Sequence, residues 1–102
     1  MNPEARAALE AEWLHLTRSV LPSMATACGW PVRADHCFQR ILLDDAFGGR
    51  WHDYVTARPA YRHLPDDRLA HAVAAARAVA AGAADLPAMN ARSLRWRGKR
   101  GA

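Results

Sequence analysis

Bulky apolar residues in this chain recur at three- and four-residue steps, and no segment alternates apolar with polar positions around β-branched side chains. That periodicity predicts helices and no sheet. Leu9, Trp13, Leu16 and Val20 form the first stripe, entered through Asn2-Pro3, a cap residue followed by the proline suited to a first helical position. Pro22 is expected to interrupt that helix, and Ser23 to Cys28 to form a short turn closed by Gly29. The period resumes at Asp35, with Phe38, Ile41 and Leu42 on one face and Cys37 beside them, until Gly48-Gly49. Arg50 to Thr56 reads as a shorter amphipathic segment with Trp51, Tyr54 and Val55 inward, limited by Pro59. Pro65-Asp66-Asp67 opens the next helix, whose Leu69, Val73, Ala76 and Ala80 run toward Gly82, and Asp85 with Pro87 begins the last.

The predicted fold is all-α, a compact single-domain orthogonal bundle of four to five helices over residues 1–97, with 98–102 as a basic tail. At 102 residues the chain has room for one core. Much of its apolar content is alanine, so the anchors are few: the four tryptophans, Phe38, Phe47, Tyr54, Tyr61 and a handful of aliphatic side chains. No apolar run reaches the roughly 18 residues of a membrane span. The first eleven residues carry two acids and no apolar stretch like that of a secretory signal, so a cytoplasmic, reducing location is expected, with Cys28 and Cys37 as thiols.

The net charge of +4 is concentrated at the C-terminus. Arg92, Arg95, Trp96 and Lys99 stand at i, i+3, i+4 and i+7, so a persisting helix makes them one basic and aromatic stripe, extended by Arg97 and Arg100. Such a stripe can neutralise phosphates while Trp96 stacks on a base. The leading expectation is a non-enzymatic module that engages nucleic acid or a nucleoprotein, or an acidic protein surface, through these six residues.

A second expectation centres on Arg33, Asp35, His36, Cys37, Arg40 and His52. Asp35 stands where a helix should begin, which puts a thiol and an imidazole in a first turn that favours anions. This would be a ligand-binding or enzymatic domain. Adjacent helical side chains diverge by about 100°, so His36 is poorly placed as a base for Cys37, and the simpler role for Cys37 is core packing. No paired chelate of cysteines or histidines is present, so neither a metal nor another cofactor is expected. A helix-turn-helix over Arg40 to Ala57 would have too short a second helix. Asp44 and Asp45, at the unfavourable end of a helix, are expected to pair with Arg40 and Arg50. A third expectation is an accessory subunit burying aromatic side chains against a partner.

The run Trp30-Pro31-Val32-Arg33-Ala34-Asp35-His36-Cys37-Phe38-Gln39-Arg40-Ile41-Leu42-Leu43-Asp44, continued by Gly48, Trp51, Pro59-Ala60-Tyr61, Asn90, Ser93-Leu94 and Trp96-Arg97-Gly98-Lys99, resembles short bacterial proteins of uncharacterised activity. Some of these carry an acetyltransferase-related name of the GNAT type. That name implies a mixed α/β fold with a Gly-rich pyrophosphate loop, neither of which is legible here, so no functional residue is carried over.

Overall fold

A computed structural model describes residues 1–98, and among these there is no strand. Five α-helices follow in order: α1 (Pro3–His15), α2 (Leu21–Cys28), α3 (Asp35–Phe47), α4 (Asp66–Ala80) and α5 (Leu86–Trp96). Single 3₁₀ turns occupy Trp51–Asp53 and Ala60–Arg62. The Cα radius of gyration is 13.0 Å, the value of a compact chain of about 100 residues.

The helix starts follow from local chemistry. Asn2 Oδ1 accepts the Ala5 N–H at 2.7 Å, and Asp85 Oδ1 accepts that of Ala88 at 3.1 Å, each relieving an orphan donor of the first turn. At α3 the cap position belongs to Ala34, and Asp35 is the first helical residue, its carboxylate accepting the His36 N–H at 2.7 Å.

Pro22 does not interrupt the first helix. A π-helical turn, Leu16–Val20, joins α1 to α2 with right-handed helical dihedrals at both junctions, so the two count as one rod. Proline has no N–H to give the preceding turn, and a widened turn accommodates its ring where a regular one clashes. Gly29 then ends the rod at φ +65°.

The core is a single cluster in which α4 packs on α1 and α3, and α5 packs on α3. Leu69, Val73 and Ala76 are fully buried as expected, joined by Trp13, Leu21, Phe38, Ile41, Leu42 and Leu86. The alanines of α4 let its neighbours approach closely. Tyr54 and Trp96 are the exceptions among the expected anchors; Tyr54 is 60 % exposed, because Trp51–Asp53 makes only one 3₁₀ turn and leaves Val55, not Tyr54, facing the core. Tyr54 stacks instead on Phe47 with ring centroids 4.8 Å apart. That single turn also supplies no second helix for a helix-turn-helix. No helix of the described residues is long and apolar enough to cross a membrane.

Candidate functional site

The site is organised by one fully buried carboxylate, Asp44, in the last turns of α3. Gly48 takes φ +66° after α3, a left-handed conformation open to glycine at little cost, and turns the chain back over the helix end. The Trp51 N–H then donates to Asp44 Oδ1 at 2.9 Å. From α5, the Ser93 hydroxyl donates to Oδ2 at 2.6 Å. Arg97 closes the cluster with Nε on Oδ2 at 2.8 Å and Nη2 on Oδ1 at 3.0 Å. This two-pronged geometry matches the planar guanidinium to the planar carboxylate.

Two further groups are ordered through this hub. Ser93 Oγ, having given its proton to Asp44, accepts from Arg40 Nη1 at 2.6 Å, while Arg40 Nη2 donates to Asn90 Oδ1 at 2.8 Å. Arg97 Nη2 also lies 3.3 Å from His52 Nδ1. A guanidinium can only donate, so Nδ1 accepts, and the neutral ring must carry its proton on Nε2. His52 is further held by stacking on Trp51, with ring centroids 3.7 Å apart.

The expected partners of the two aspartates are therefore corrected. Arg40 serves Ser93 and Asn90, and Asp44 takes Arg97, 53 residues away. Asp45 takes His71 at 3.1 Å and Arg92 at 3.7 Å. Arg50 has no carboxylate within 4 Å among the described residues. The reason is reach: α5 crosses α3 at the level of Asp44, and a buried acid takes the cation that can arrive from inside.

Above this hub opens a cleft of about 690 Å³, within the size range of small-molecule sites. Its cationic lining is Arg18, Arg40, Arg58 and Arg97, with His36 and His52. Trp13, Trp51 and Tyr61 supply aromatic surface, and Leu43, Pro59 and Ala60 aliphatic surface. No aspartate or glutamate lines it. Arg18 reaches it from the π-turn, which also carries the fully buried Thr17. Thr17 Oγ1 donates to the Trp13 carbonyl at 2.8 Å, so it can only accept from Gln39 Nε2, at 3.0 Å. Gln39 thereby keeps its carbonyl oxygen as a spare acceptor at the cleft. Tyr61 is steadied from behind, its carbonyl accepting from Arg6 Nη2 at 3.0 Å.

Of the six residues expected to form a ligand site, His36, Arg40 and His52 reach the cleft; Arg33, Asp35 and Cys37 do not line it. The His36 side chain is 80 % exposed and lies 3.7 Å from Asp35, so it stands at the rim. Cys37 is half-buried and Cys28 exposed, both as free thiols. Arg18, Gln39, Arg58 and Tyr61 were missed; they come from segments whose periodicity says nothing of what lies across from them.

Of the six in the C-terminal stripe, Arg92, Arg95 and Trp96 lie on α5. Trp96 is 39 % exposed. Arg97 is corrected out of the stripe: its side chain is 15 % exposed and engaged with Asp44. The helix ends at Trp96, and Lys99 and Arg100 lie outside the described residues. Among the described residues no three histidine, cysteine or acidic side chains are grouped to hold a metal ion.

Burial, and then repulsion from Arg97, Arg50 and Arg58, lowers the His52 pKa below the ordinary 6.5, with Asp44 opposing in part. The unfolded chain therefore binds the His52 proton more readily than the folded one, and the ring's contribution to stability is present above pH 6.5 and lost as pH falls below it. Urea unfolding at mildly acidic and neutral pH should show the wild type losing more stability on acidification than His52→Gln. An equal loss in both would contradict this sign.

Comparisons with protein-family models, with curated proteins and with solved structures find no match to this chain.

Proposed function

We propose that this chain is a binding module whose cleft takes a small organic anion. One observation carries the reading: Arg18, Arg40 and Arg58 converge on a single concavity, and none has a carboxylate within 4 Å among the described residues. Like charges brought together without a counterion repel, and low-dielectric walls strengthen the field that an entering anion feels. The aromatic walls suit a ligand with an apolar part. The reading keeps Arg40, His36 and His52 from the second expectation above and sets aside a thiol mechanism, since Cys37 does not face the cleft. We infer a cytoplasmic setting, where free thiols such as Cys28 and Cys37 persist.

Calorimetric titration at low salt with a panel of aromatic anions and their uncharged analogues tests this. Anions should bind, their affinity should fall as salt rises, and the neutral analogues should not bind. Arg58→Ala should weaken binding by about tenfold, the loss of one charge-assisted contact of roughly 1.5 kcal/mol. Salt-insensitive binding of the neutral analogues would remove the proposal.

A second reading, contact with nucleic acid through Arg92, Arg95 and Trp96, is favoured by the partly exposed indole of Trp96 at the end of α5. Here Arg92→Glu with Arg95→Glu should abolish salt-sensitive binding to a labelled single-stranded oligonucleotide while leaving the cleft titration unchanged. Truncation after Ala91 is no test of it, because Ser93 and Arg97 belong to the buried hub.

A further inference from the structure

Nearly every polar group presented to the cleft is a donor, and that deepens the proposed function, on which this inference rests. We propose that the ligand is a phosphate monoester that also bears a flat ring, of the nucleoside monophosphate class, and not a carboxylate. Arg18 and Arg58 are exposed and Arg40 is half-buried, and three guanidiniums without a carboxylate partner among the described residues favour a ligand with more than one negative charge, of which a phosphate dianion supplies nearly two. Its three terminal oxygens accept hydrogen bonds and donate none, which fits Arg18, Arg40, Arg58 and the Nε2–H of His52.

The donor character of His52 is built in rather than incidental. Nδ1 is committed to Arg97, Arg97 to Asp44, and Asp44 is saturated by Ser93 and the Trp51 N–H, so the free edge of the imidazole presents N–H to a ligand. Arg40 is likewise preset by neutral acceptors, Ser93 and Asn90, which orient its guanidinium without cancelling its charge. One buried carboxylate thus orders two arginines and a tautomer before any ligand arrives, which lowers the ordering cost of binding.

The remainder of the ligand is read by different chemistry. Trp51, already stacked on His52 and with Arg58 5.9 Å from its ring centre, and Tyr61 line the cleft, so a flat ring entering it can join this aromatic and guanidinium layer where a flexible aliphatic chain gains less. The spare Gln39 carbonyl gives one acceptor for a ring N–H or a sugar hydroxyl.

Calorimetry on the intact chain with adenosine monophosphate, phenyl phosphate, inorganic phosphate and benzoate decides the matter. The two phosphate esters should bind at least about tenfold more tightly than benzoate, and more tightly than inorganic phosphate. Among the esters, tighter binding of adenosine monophosphate assigns the nucleoside class, whereas preference for phenyl phosphate overturns that class. Benzoate binding as tightly as phenyl phosphate overturns the phosphate assignment while leaving an anion site. If no member of the set binds, the anion site falls with it. His52→Gln, which keeps an N–H near the Nε2 position, should retain phenyl phosphate affinity within about threefold, whereas His52→Phe should lose about tenfold; equal losses would overturn the donor role. Circular dichroism of each variant confirms that a lost affinity is not a lost fold.

Discussion

Asp44→Asn is expected to lower the unfolding free energy by about 3–5 kcal/mol, the cost of removing one partner from a buried ion pair. The asparagine fills the same space, so the loss is electrostatic. Four donors converge on a side chain that has lost its charge, and one of its two acceptor oxygens becomes an NH₂ facing them. Arg97, only 15 % exposed, then holds an uncompensated charge at the edge of the core. Since whole domains of this size are stable by about 5–15 kcal/mol, the variant should unfold at a markedly lower urea concentration with an unchanged slope. A loss below about 1 kcal/mol would show that the hub does not hold the fold. Replacing both members, Asp44→Leu with Arg97→Met, should recover much of the stability, because an apolar pair avoids the desolvation of two charges. It should not recover ligand binding, since the orientation of His52 and of Arg40 is lost with it.

Trp13→Ala should cost a comparable 3–5 kcal/mol for a different reason. The indole is buried in the last turn of α1, in the core cluster and against the floor of the cleft. Removing it leaves a void that neighbouring helices fill only in part, so lost apolar burial and lost packing contacts add. Trp13→Phe, which keeps most of the volume, should lose much less. Thermal unfolding of the two variants checks this, and equal melting temperatures for Trp13→Ala and the wild type would place the indole outside the core. The two predictions separate by salt and by binding: the Asp44 variant is electrostatic in origin, whereas Trp13→Ala alters the cleft's shape and should weaken ligands with a ring more than inorganic phosphate.

The helices were legible because their signals are local. Asn2-Pro3, Asp85 with Pro87, Gly29 and Gly48 act within four residues, and their caps stand where the sequence puts them. Leu69, Val73 and Ala76 needed only the period of 3.6 residues to be assigned inward. Pro22 was misread because proline usually ends a helix, and the π-turn that absorbs it leaves no mark in apolar spacing. Tyr54 was misread because a single 3₁₀ turn does not carry a helical face far enough to bury it.

The candidate site was legible only in part. His36, Arg40 and His52 stood out as chemically capable residues near one helix, and they do reach the cleft. Arg97 reads in the sequence as one more cation of the C-terminal basic stripe, and its neighbours in the chain offer no sign that it turns inward.

All-helical folding, most of the helix ends and the faces buried by α3 and α4 follow from interactions between residues a few places apart, so the amino-acid order alone suffices for them. Which arginine neutralises Asp44, which imidazole nitrogen keeps its proton and which cations are left facing the cleft depend on α5 meeting α3 some fifty residues along the chain. Packing decides those pairings, because a buried charge selects its partner by distance and desolvation, and neither quantity exists until the helices have docked.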